Sequence, residues 1–333
     1  MLEDIKNAKK SIYLESFILT DDRRTHEFFK TIKEKARAGL KVKIIMDRIG
    51  GWWGSINEGE FGEAGVEILI FTHWFHSSHR KVLIVDEEVA YLGGVNISGQ
   101  YAKWIDLQVR LTGFLVRTIL RSFSRVYELS GGKDPMILGV RKRRGLFKAQ
   151  IVLYKAKIWF LENWPFKGRS RLRAYYKKKC REAKHKIVIA TPYFIPHRWL
   201  VKLLREAAHR GVRVEVIIPE ETDVRIVDIA HRVFAKKLAV FINFFFIPEM
   251  NHAKVLLIDD REGLVGSNNI DARSFDFQLE ASVVFRRKDM VGDLRQILER
   301  WEKMAVPLGK VNPYDKWYHK IIKLLIKLLQ PLL

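Results

Sequence analysis

Short apolar runs alternate with amphipathic stretches along most of the chain. Lys41–Asp47 and Val66–Thr72 are apolar runs of strand length bounded by turn residues, which predicts buried strands. Thr25–Ala38 combines apolar residues at helical spacing with a closing glycine, which predicts a helix. The same order returns in the second half, where Val212–Pro219 is one of the predicted strands. Strands that alternate with helices indicate an α/β sheet with parallel pairs.

One pattern occurs twice in the chain. The first copy, HRKVLIVDEEVAYLGGVN, runs from His79 to Asn96, and the second, HAKVLLIDDREGLVGSNN, runs from His252 to Asn269. In both copies the asparagine follows the histidine by 17 residues, and the first glycine follows the aspartate by 7. A single H-x-K could arise by chance. Two copies in the same register indicate an internal duplication.

Each copy has the pattern of a β-hairpin. In the second copy, VLLI and GLVG are the predicted strands, and we expect the turn to be centred between Asp260 and Arg261. His252 and Lys254 are two residues apart and share one strand face. Asn269 then folds back opposite His252. An imidazole, an ammonium and a carboxamide on one side of a hairpin suit the oxygens of a phosphoryl group.

The aspartates of the two motifs, Asp86 and Asp259, fall at the predicted turns. Their strand parity differs from that of the histidine and the lysine, which argues against a catalytic role. Aspartate side chains commonly stabilise turns by accepting hydrogen bonds from the backbone. We therefore expect a structural role for both.

The paired motifs resemble the phospholipase D superfamily, whose signature is a paired HKD motif followed by G-[SG]-x-N. The chain is similar in particular to bacterial cardiolipin synthases. In the second half the resemblance is carried by TPYFIP (Thr191–Pro196) and GSNNIDARS (Gly266–Ser274), and in the first half by LGGVNIS and WID (Trp104–Asp106). It covers roughly residues 6–112 and 157–290.

The resemblance implies an α/β fold. Two tandem phospholipase D-like α-β-α sandwich domains with mixed sheets would be related by a pseudo-twofold axis, with one active site at their interface. It also implies phosphodiester exchange through a phosphohistidine, with His79 as nucleophile and His252 as general acid and base, although the near symmetry leaves these roles open to exchange. The other implied site residues are Lys81 and Lys254 for positive charge, Asn96, Asn269 and Ser267 for phosphate binding, and Glu280 and Asp106 for holding a histidine ring. We expect no metal and no cofactor.

The duplication predicts four regions. Residues 1–112 form the first HKD domain, 113–156 a basic helical connector, 157–300 the second HKD domain, and 301–333 a C-terminal segment. The apolar stretch Ala156–Phe166 has no counterpart in the first half, because the chain begins inside a helix. We therefore expect the first sheet to be one strand short.

Length, net charge and cysteine content limit the kinds of site and binding partner that this chain can have. The chain has 333 residues, enough for two domains with full cores, and a formal net charge of +22. Such a charge attracts polyanions, either anionic lipid headgroups or nucleic acid. Cys180 is the only cysteine, which excludes disulfides within the chain and metal sites built from cysteines.

The sequence also predicts how the protein meets a membrane. No apolar run has the length of a membrane span, and the N-terminus has no signal-peptide core. The C-terminal segment has the pattern of a basic amphipathic helix, and the connector contributes a further set of basic residues. We expect peripheral attachment to the cytoplasmic face of the cell membrane through these basic patches, which comprise Lys316, Trp317, Lys320, Lys323 and Lys327 in the segment and Arg117, Arg121, Arg125 and Arg141–Lys148 in the connector.

The leading hypothesis is a cardiolipin synthase-like phosphatidyltransferase that joins anionic phospholipids, with phosphatidylglycerol the expected substrate. A phospholipase D-type hydrolase, with water as the acceptor, is the first alternative. A nuclease of the same superfamily fits the charge equally well but does not need the terminal amphipathic helix. A membrane-surface scaffold without turnover is the alternative from a different class.

Overall fold

The computed structural model describes residues 1–54, 56–73, 75–140, 157–165 and 170–308. Two mixed β-sheets, one from each half of the chain, form its framework. The basic run 141–148 and the amphipathic segment with Lys316 and Trp317 lie outside the described residues.

The first half ends with two helices, which follow the last strand of its sheet. Its elements are α1 (Leu2–Lys6), β1 (Ser11–Ser16), α2 (His26–Arg37), β2 (Lys41–Asp47), α3 (Arg48–Gly51), α4 (Glu58–Glu63), β3 (Glu67–Phe71), β4 (Ser77–Ser78), β5 (Val82–Val85), β6 (Val89–Gly93), β7 (Gln108–Thr112), α5 (Phe114–Leu129) and α6 (Pro135–Gly139).

The second half repeats most of these elements. It contains β8 (Ile158–Asn163), α7 (Arg171–Glu182), β9 (Lys186–Ala190), α8 (Arg198–His209), β10 (Arg213–Pro219), α9 (Arg225–Leu238), β11 (Asn243–Ile247), β12 (Val255–Ile258), β13 (Glu262–Gly266), α10 (Ala272–Asp276), β14 (Gln278–Phe285), α11 (Lys288–Met304) and β15 (Val306–Pro307).

The strand order confirms the duplication. The first sheet has the order β3-β2-β1-β5-β6-β7, and the second contains the matching order β11-β10-β9-β12-β13-β14. In each sheet the three strands at one side are parallel, and the HKD hairpin is added antiparallel to the central strand. Both motifs therefore occupy equivalent places in equivalent sheets.

The second sheet has three further strands. β8 pairs antiparallel with β14, β15 pairs with β11, and β4 crosses from the first half to pair with β14. β8 is the strand expected within Ala156–Phe166. In the part of the chain that the structure describes, β7 has no partner equivalent to β8, so the first sheet is one strand short, as expected.

The two sheets face each other across a shared apolar core. Side chains along β1 alternate between the two faces of the first sheet. Tyr13 points into the shared core, whereas Ile12 and Leu14 pack beneath the helices on the outer face. α1 and α2 cover the outer face of the first sheet, and α7, α8 and α9 cover that of the second. The halves are therefore joined by a continuous core.

α5 belongs to this shared core and does more than connect the halves. It occupies Phe114–Leu129, within the region predicted as a helical connector, and its apolar face packs among residues of both sheets. It follows β7 just as α11 follows β14, so the two helices are positional counterparts. Arg125, which we expected in a basic patch, is exposed and pairs with Glu162 at 2.8 Å. α11 ends at Met304 and so crosses the domain boundary predicted at residue 300.

The turn of the second hairpin differs slightly from the prediction. Val255 pairs with Val265 and Ile258 with Glu262, which centres the turn on Asp260. Asp259 and Asp260 both have left-handed backbone angles, with φ of 52° and 50°. The predicted turn would have put Asn269 opposite His252. A turn with two left-handed residues shifts this register by one position.

Asp86 and Asp259 bind the backbone next to the central strands. The Asp259 carboxylate accepts hydrogen bonds from the amides of Lys184, His185 and Lys186, at 2.7–3.1 Å. Asp86 does the same for three consecutive amides at 2.7–2.9 Å, immediately before and at the start of β1. Each aspartate therefore fastens its hairpin turn to the beginning of the neighbouring strand.

Replacing Asp259 by alanine should lower the free energy of unfolding by about 1–3 kcal/mol, because three backbone amides lose a charged acceptor. Asp260→Ala is the matched control, since Asp260 lies in the same turn with the same backbone conformation. Thermal denaturation followed by circular dichroism measures both. Equal losses in the two variants would contradict the proposed fastening role.

Candidate active site

Each HKD motif is built partly by the opposite half of the chain. β4, just before His79, pairs in parallel with the start of β14, and the His79 amide donates to the Leu279 carbonyl at 3.0 Å. The His252 amide donates to the Ile105 carbonyl at 2.6 Å, and Asn251 forms a bridge with Ile105. The two exchanges are equivalent and bring both histidines to the seam between the halves.

The two histidines line one cavity of about 580 Å³. Asn96 and Asn269 also lie in its wall, so the structure brings together the imidazole and carboxamide of each motif. His79 and His252 are 7% and 5% exposed, which leaves only a small part of each ring open to the cavity. The sequence predicted a single site at the interface of the halves.

The carboxylates that contact the histidines come from the opposite half. His252 Nδ1 lies 2.8 Å from Asp106 Oδ2. His79 Nδ1 lies 2.9 Å from the Ser267 carbonyl oxygen and 3.3 Å from Glu280 Oε1. The family resemblance implied that both carboxylates hold a histidine ring, but it did not imply this crossed pairing.

These contacts determine which ring nitrogen is free. A carbonyl oxygen can only accept, so His79 Nδ1 must carry the proton that it donates to Ser267. His252 Nδ1 likewise donates its proton to the Asp106 carboxylate oxygen. In the neutral rings, the Nε2 lone pair of each histidine is therefore available for chemistry.

Two buried lysines lie next to the histidines. Lys81 Nζ donates to the His79 carbonyl at 2.7 Å, and Lys254 Nζ donates to the His252 carbonyl at 2.5 Å. Burial lowers the pKa of Lys81 well below its ordinary value, and the Lys254 charge lowers it further. Burial also lowers the pKa of Lys254, to about 8, against the opposing effect of Asp106.

Both imidazoles are neutral at pH 7. Burial lowers the pKa of His79 well below its usual range, and the Lys81 and Lys254 charges add to this effect. Burial and the Lys254 charge lower the pKa of His252 to about 4, although the Asp106 carboxylate acts in the opposite direction. A negatively charged ligand in the cavity would raise both values, because it stabilises an imidazolium.

The geometry that the two motifs share does not extend to Ser267, which we expected to bind phosphate. Its hydroxyl contacts the Glu280 carboxylate and accepts from the Ala281 amide at 3.1 Å, so it supports Glu280 and does not face the cavity. Asn96 and Asn269 fit the expectation better. Both side chains line the cavity. Among the described residues the carboxamide oxygen of each has no hydrogen-bond partner, so it can accept a hydrogen bond from a ligand hydroxyl.

Several cavity residues were not predicted from the sequence. The Phe17 ring meets the His79 ring edge-on with 4.9 Å between centroids, and the Trp104 ring lies 5.2 Å from that of His252. Arg225 and Arg273 add positive charge to the wall. Phe17 directly follows β1, and Arg273 lies within GSNNIDARS. The sequence signal that could have identified these two residues was their position beside a predicted strand or within a motif.

Comparison with known proteins identifies the family. A family model described as "Cardiolipin synthase, PLD-like domain" matches residues 1–106 and 176–301, which is most of the chain. The chain belongs to this family.

Individual proteins that align with most of this chain agree with the match to the cardiolipin synthase family. The cardiolipin synthase of Alkalihalophilus pseudofirmus is 26% identical over 358 aligned positions, which span 100% of this chain and 69% of that protein. Cardiolipin synthase A of Pseudomonas entomophila is 28% identical over 89% of this chain and 64% of its own length. The crystal structure of phosphatidylserine synthase from Haemophilus influenzae Rd KW20 has the same fold, with a TM-score of 0.76 and 17% identity over 100% of this chain and 92% of that one.

Two further properties hold for the part of the chain that the structure describes. None of the helices in these residues combines the length and the apolar character that crossing a bilayer requires. Within the same residues, histidine, cysteine, aspartate and glutamate side chains form no group of three or more that could hold a metal ion.

The two half-sites of this cardiolipin synthase-family fold differ by a compensating pair of residues. Gly94 occupies the position of Ser267, and a Cβ atom on Gly94 would lie 2.2 Å from Asp106 Oδ1. Glu280, one methylene longer than Asp106, leaves room for the serine and bonds to it. The shorter carboxylate thus requires the glycine, which explains the departure from symmetry.

We expect the His252 imidazole to titrate with a midpoint near pH 4 in NMR spectra, with its signal assigned from its loss in His252→Gln. Replacing Lys254 by methionine should raise this midpoint by about one pH unit, because a neighbouring cation disfavours the imidazolium. A wild-type midpoint at or above the ordinary value of about 6.5 would contradict the burial of this ring among cations.

Gly94→Ser should destabilise the protein by more than about 1 kcal/mol, because the added atoms overlap the Asp106 carboxylate. The double variant Gly94→Ser/Asp106→Glu recreates the pair found in the other half. It should recover a large part of the loss, and denaturant unfolding of the two single variants and the double variant measures the coupling. Additive losses would show that the two positions are independent.

Proposed function

We propose that this protein is a cardiolipin synthase-like phosphatidyltransferase that joins phospholipids through a phosphohistidine intermediate. The observation that carries the proposal is the meeting of two neutral imidazoles, one from each half, in a single cavity with buried lysines behind them. Membership of the cardiolipin synthase family supports the choice of substrate class.

The first step breaks the donor's phosphodiester bond. His79 Nε2 attacks phosphorus, the P–N bond forms, and the bond from phosphorus to the headgroup oxygen breaks. His252 gives a proton to the departing alkoxide, which leaves as an alcohol. His79 suits the nucleophilic role because its Nδ1 hydrogen bond to a neutral carbonyl fixes the tautomer. His252 suits proton transfer because the Asp106 carboxylate stabilises its imidazolium form.

The second step returns the enzyme to its starting state. His252, now neutral, accepts the proton of a hydroxyl on the acceptor phospholipid, and the resulting alkoxide attacks phosphorus while the P–N bond breaks. With phosphatidylglycerol as donor and acceptor, the products are cardiolipin and glycerol. Hydrolysis would follow the same path with water in place of the acceptor hydroxyl.

The buried cations supply charge where the transition state needs it. Lys81 and Lys254 offset the negative charge that grows on the phosphoryl oxygens, and the carboxamides of Asn96 and Asn269 can donate hydrogen bonds to them. Phosphate binding raises the pKa of His252, which prepares it to act as the acid. Glu280 holds the His79 ring, and burial raises its own pKa to about 7.

We further propose that the enzyme works as a peripheral protein on the cytoplasmic face of the membrane, with anionic phospholipids as its partners. Its substrates reside in a bilayer, and a net charge of +22 favours an anionic leaflet.

Incubation with phosphatidylglycerol vesicles should yield cardiolipin and glycerol, detected by mass spectrometry. His79→Ala and His252→Ala should each lower the rate by at least about a thousandfold, because residues that act as one catalytic unit fail together. His209→Ala, which changes an exposed histidine at the end of α8, is the matched control.

Two results would contradict the proposal. Phosphatidic acid without cardiolipin would assign hydrolysis in place of transfer. Neither product above the level of His79→Ala would exclude both activities, and tight DNA binding that weakens steeply with salt would then favour the nuclease.

A further inference from the structure

Two segments of the first half carry exposed aromatic side chains. Trp52 is 77% exposed, Trp53 69% and Phe75 84%, whereas Trp164 and Trp301 are buried. Trp53 and its neighbour Ile49 also line the cavity that contains the histidines. Large apolar side chains exposed together commonly mark an interaction surface.

The topology places these residues on one edge of the first sheet. β2 and β3 are adjacent parallel strands, with Asp47 opposite Phe71, so the segments that follow them leave the sheet side by side. The segment after β2 carries Trp52 and Trp53, and the one after β3 carries Phe75. Asp47 ties the two segments together by accepting a hydrogen bond from the Ser78 amide at 2.6 Å, just before His79.

The equivalent edge of the second half is different in character. The segment after β10 carries Glu221 and Asp223, and the one after β11 carries Glu249, all exposed. Arg48 and Arg225, the first residues of α3 and α9, are the exposed cations that follow the equivalent strands β2 and β10. Each side therefore carries one arginine, but the first half adds exposed aromatic side chains and the second half adds three exposed carboxylates.

We infer that the aromatic rim of Trp52, Trp53 and Phe75 is a docking surface that inserts into the interfacial layer of a phospholipid bilayer. Indole rings favour the interface between lipid headgroups and acyl chains, because their apolar body and polar N–H suit the two environments. Arg48 beside the rim complements anionic headgroups. The choice of a lipid surface as partner rests on the proposed function.

Insertion on this side has a consequence for substrate entry. The rim leads directly into the cavity through Trp53 and Ile49, so a phospholipid can pass from the bilayer along an apolar wall towards His79. The acidic segments of the second half are repelled by an anionic surface, which tilts the molecule onto its first half. The duplicated fold thus has one side that faces the membrane.

The test compares two double variants. Trp52→Ser/Phe75→Ser changes two rim residues that do not line the cavity. Met136→Ser/Val240→Ser changes two residues that are 56% and 88% exposed and lie towards the opposite edges of the sheets. Cosedimentation with vesicles of phosphatidylglycerol and phosphatidylcholine, at low and high salt, measures binding without requiring turnover.

The rim variant should bind at least about tenfold more weakly than the wild type at high salt, because burial of apolar surface is insensitive to screening. The control should stay within about twofold. Brominated acyl chains should quench tryptophan emission of the wild type and the control more strongly than that of the rim variant.

Equal binding by the rim variant and the wild type would overturn the inference, as would equal weakening in both double variants or no vesicle binding by the wild type. A loss of turnover with unchanged vesicle binding would bear on the proposed function alone. Melting temperatures of both variants establish that each is folded.

Discussion

The site depends on a reciprocal exchange of backbone hydrogen bonds between the two halves. The residues before His79 pair with β14, and those before His252 pair with the segment around Ile105. Each strand segment that ends in a histidine pairs with the segment that carries a carboxylate. The register of this pairing therefore also sets the crossed contacts of Glu280 and Asp106. A slip of one residue would turn the side chains to the opposite face. The exchange therefore joins the halves and brings the two histidines to their carboxylates in one step.

Burial gives the assembled groups their electrostatic character. Two lysines and Glu280 lie almost out of water beside the two imidazoles, and Asp106 is partly buried. Burial lowers the pKa of both imidazoles and the neighbouring cations lower it further, which holds both rings in the neutral form. A phosphodiester adds the negative charge that this arrangement lacks. Its binding should therefore draw a proton into the site, since the pKa of each basic group rises in its field. Substrate binding and preparation of the acid are thus coupled.

Much of this architecture could be predicted from the sequence. Apolar runs of strand length and the repeated spacing of histidine, lysine and asparagine were sufficient to predict two equivalent halves, and the family resemblance implied one shared site. The turn of the second hairpin was misplaced by half a position, because two consecutive left-handed aspartates could not be anticipated. Ser267 was assigned to phosphate from its place in the motif, whereas its hydroxyl supports Glu280. The crossed carboxylates and the role of α5 in the shared core depend on contacts between distant segments, which local patterns do not encode.

The central claim is that both histidines act on one phosphorus atom through a covalent adduct. The most direct measurement uses His252→Ala with a phosphatidyl donor whose leaving group is p-nitrophenol, which departs without a proton. After rapid quenching, peptide mapping by mass spectrometry should find an acid-labile phosphatidyl group on His79, and none should form in His79→Ala. Release of p-nitrophenol with no adduct on His79 would contradict this account.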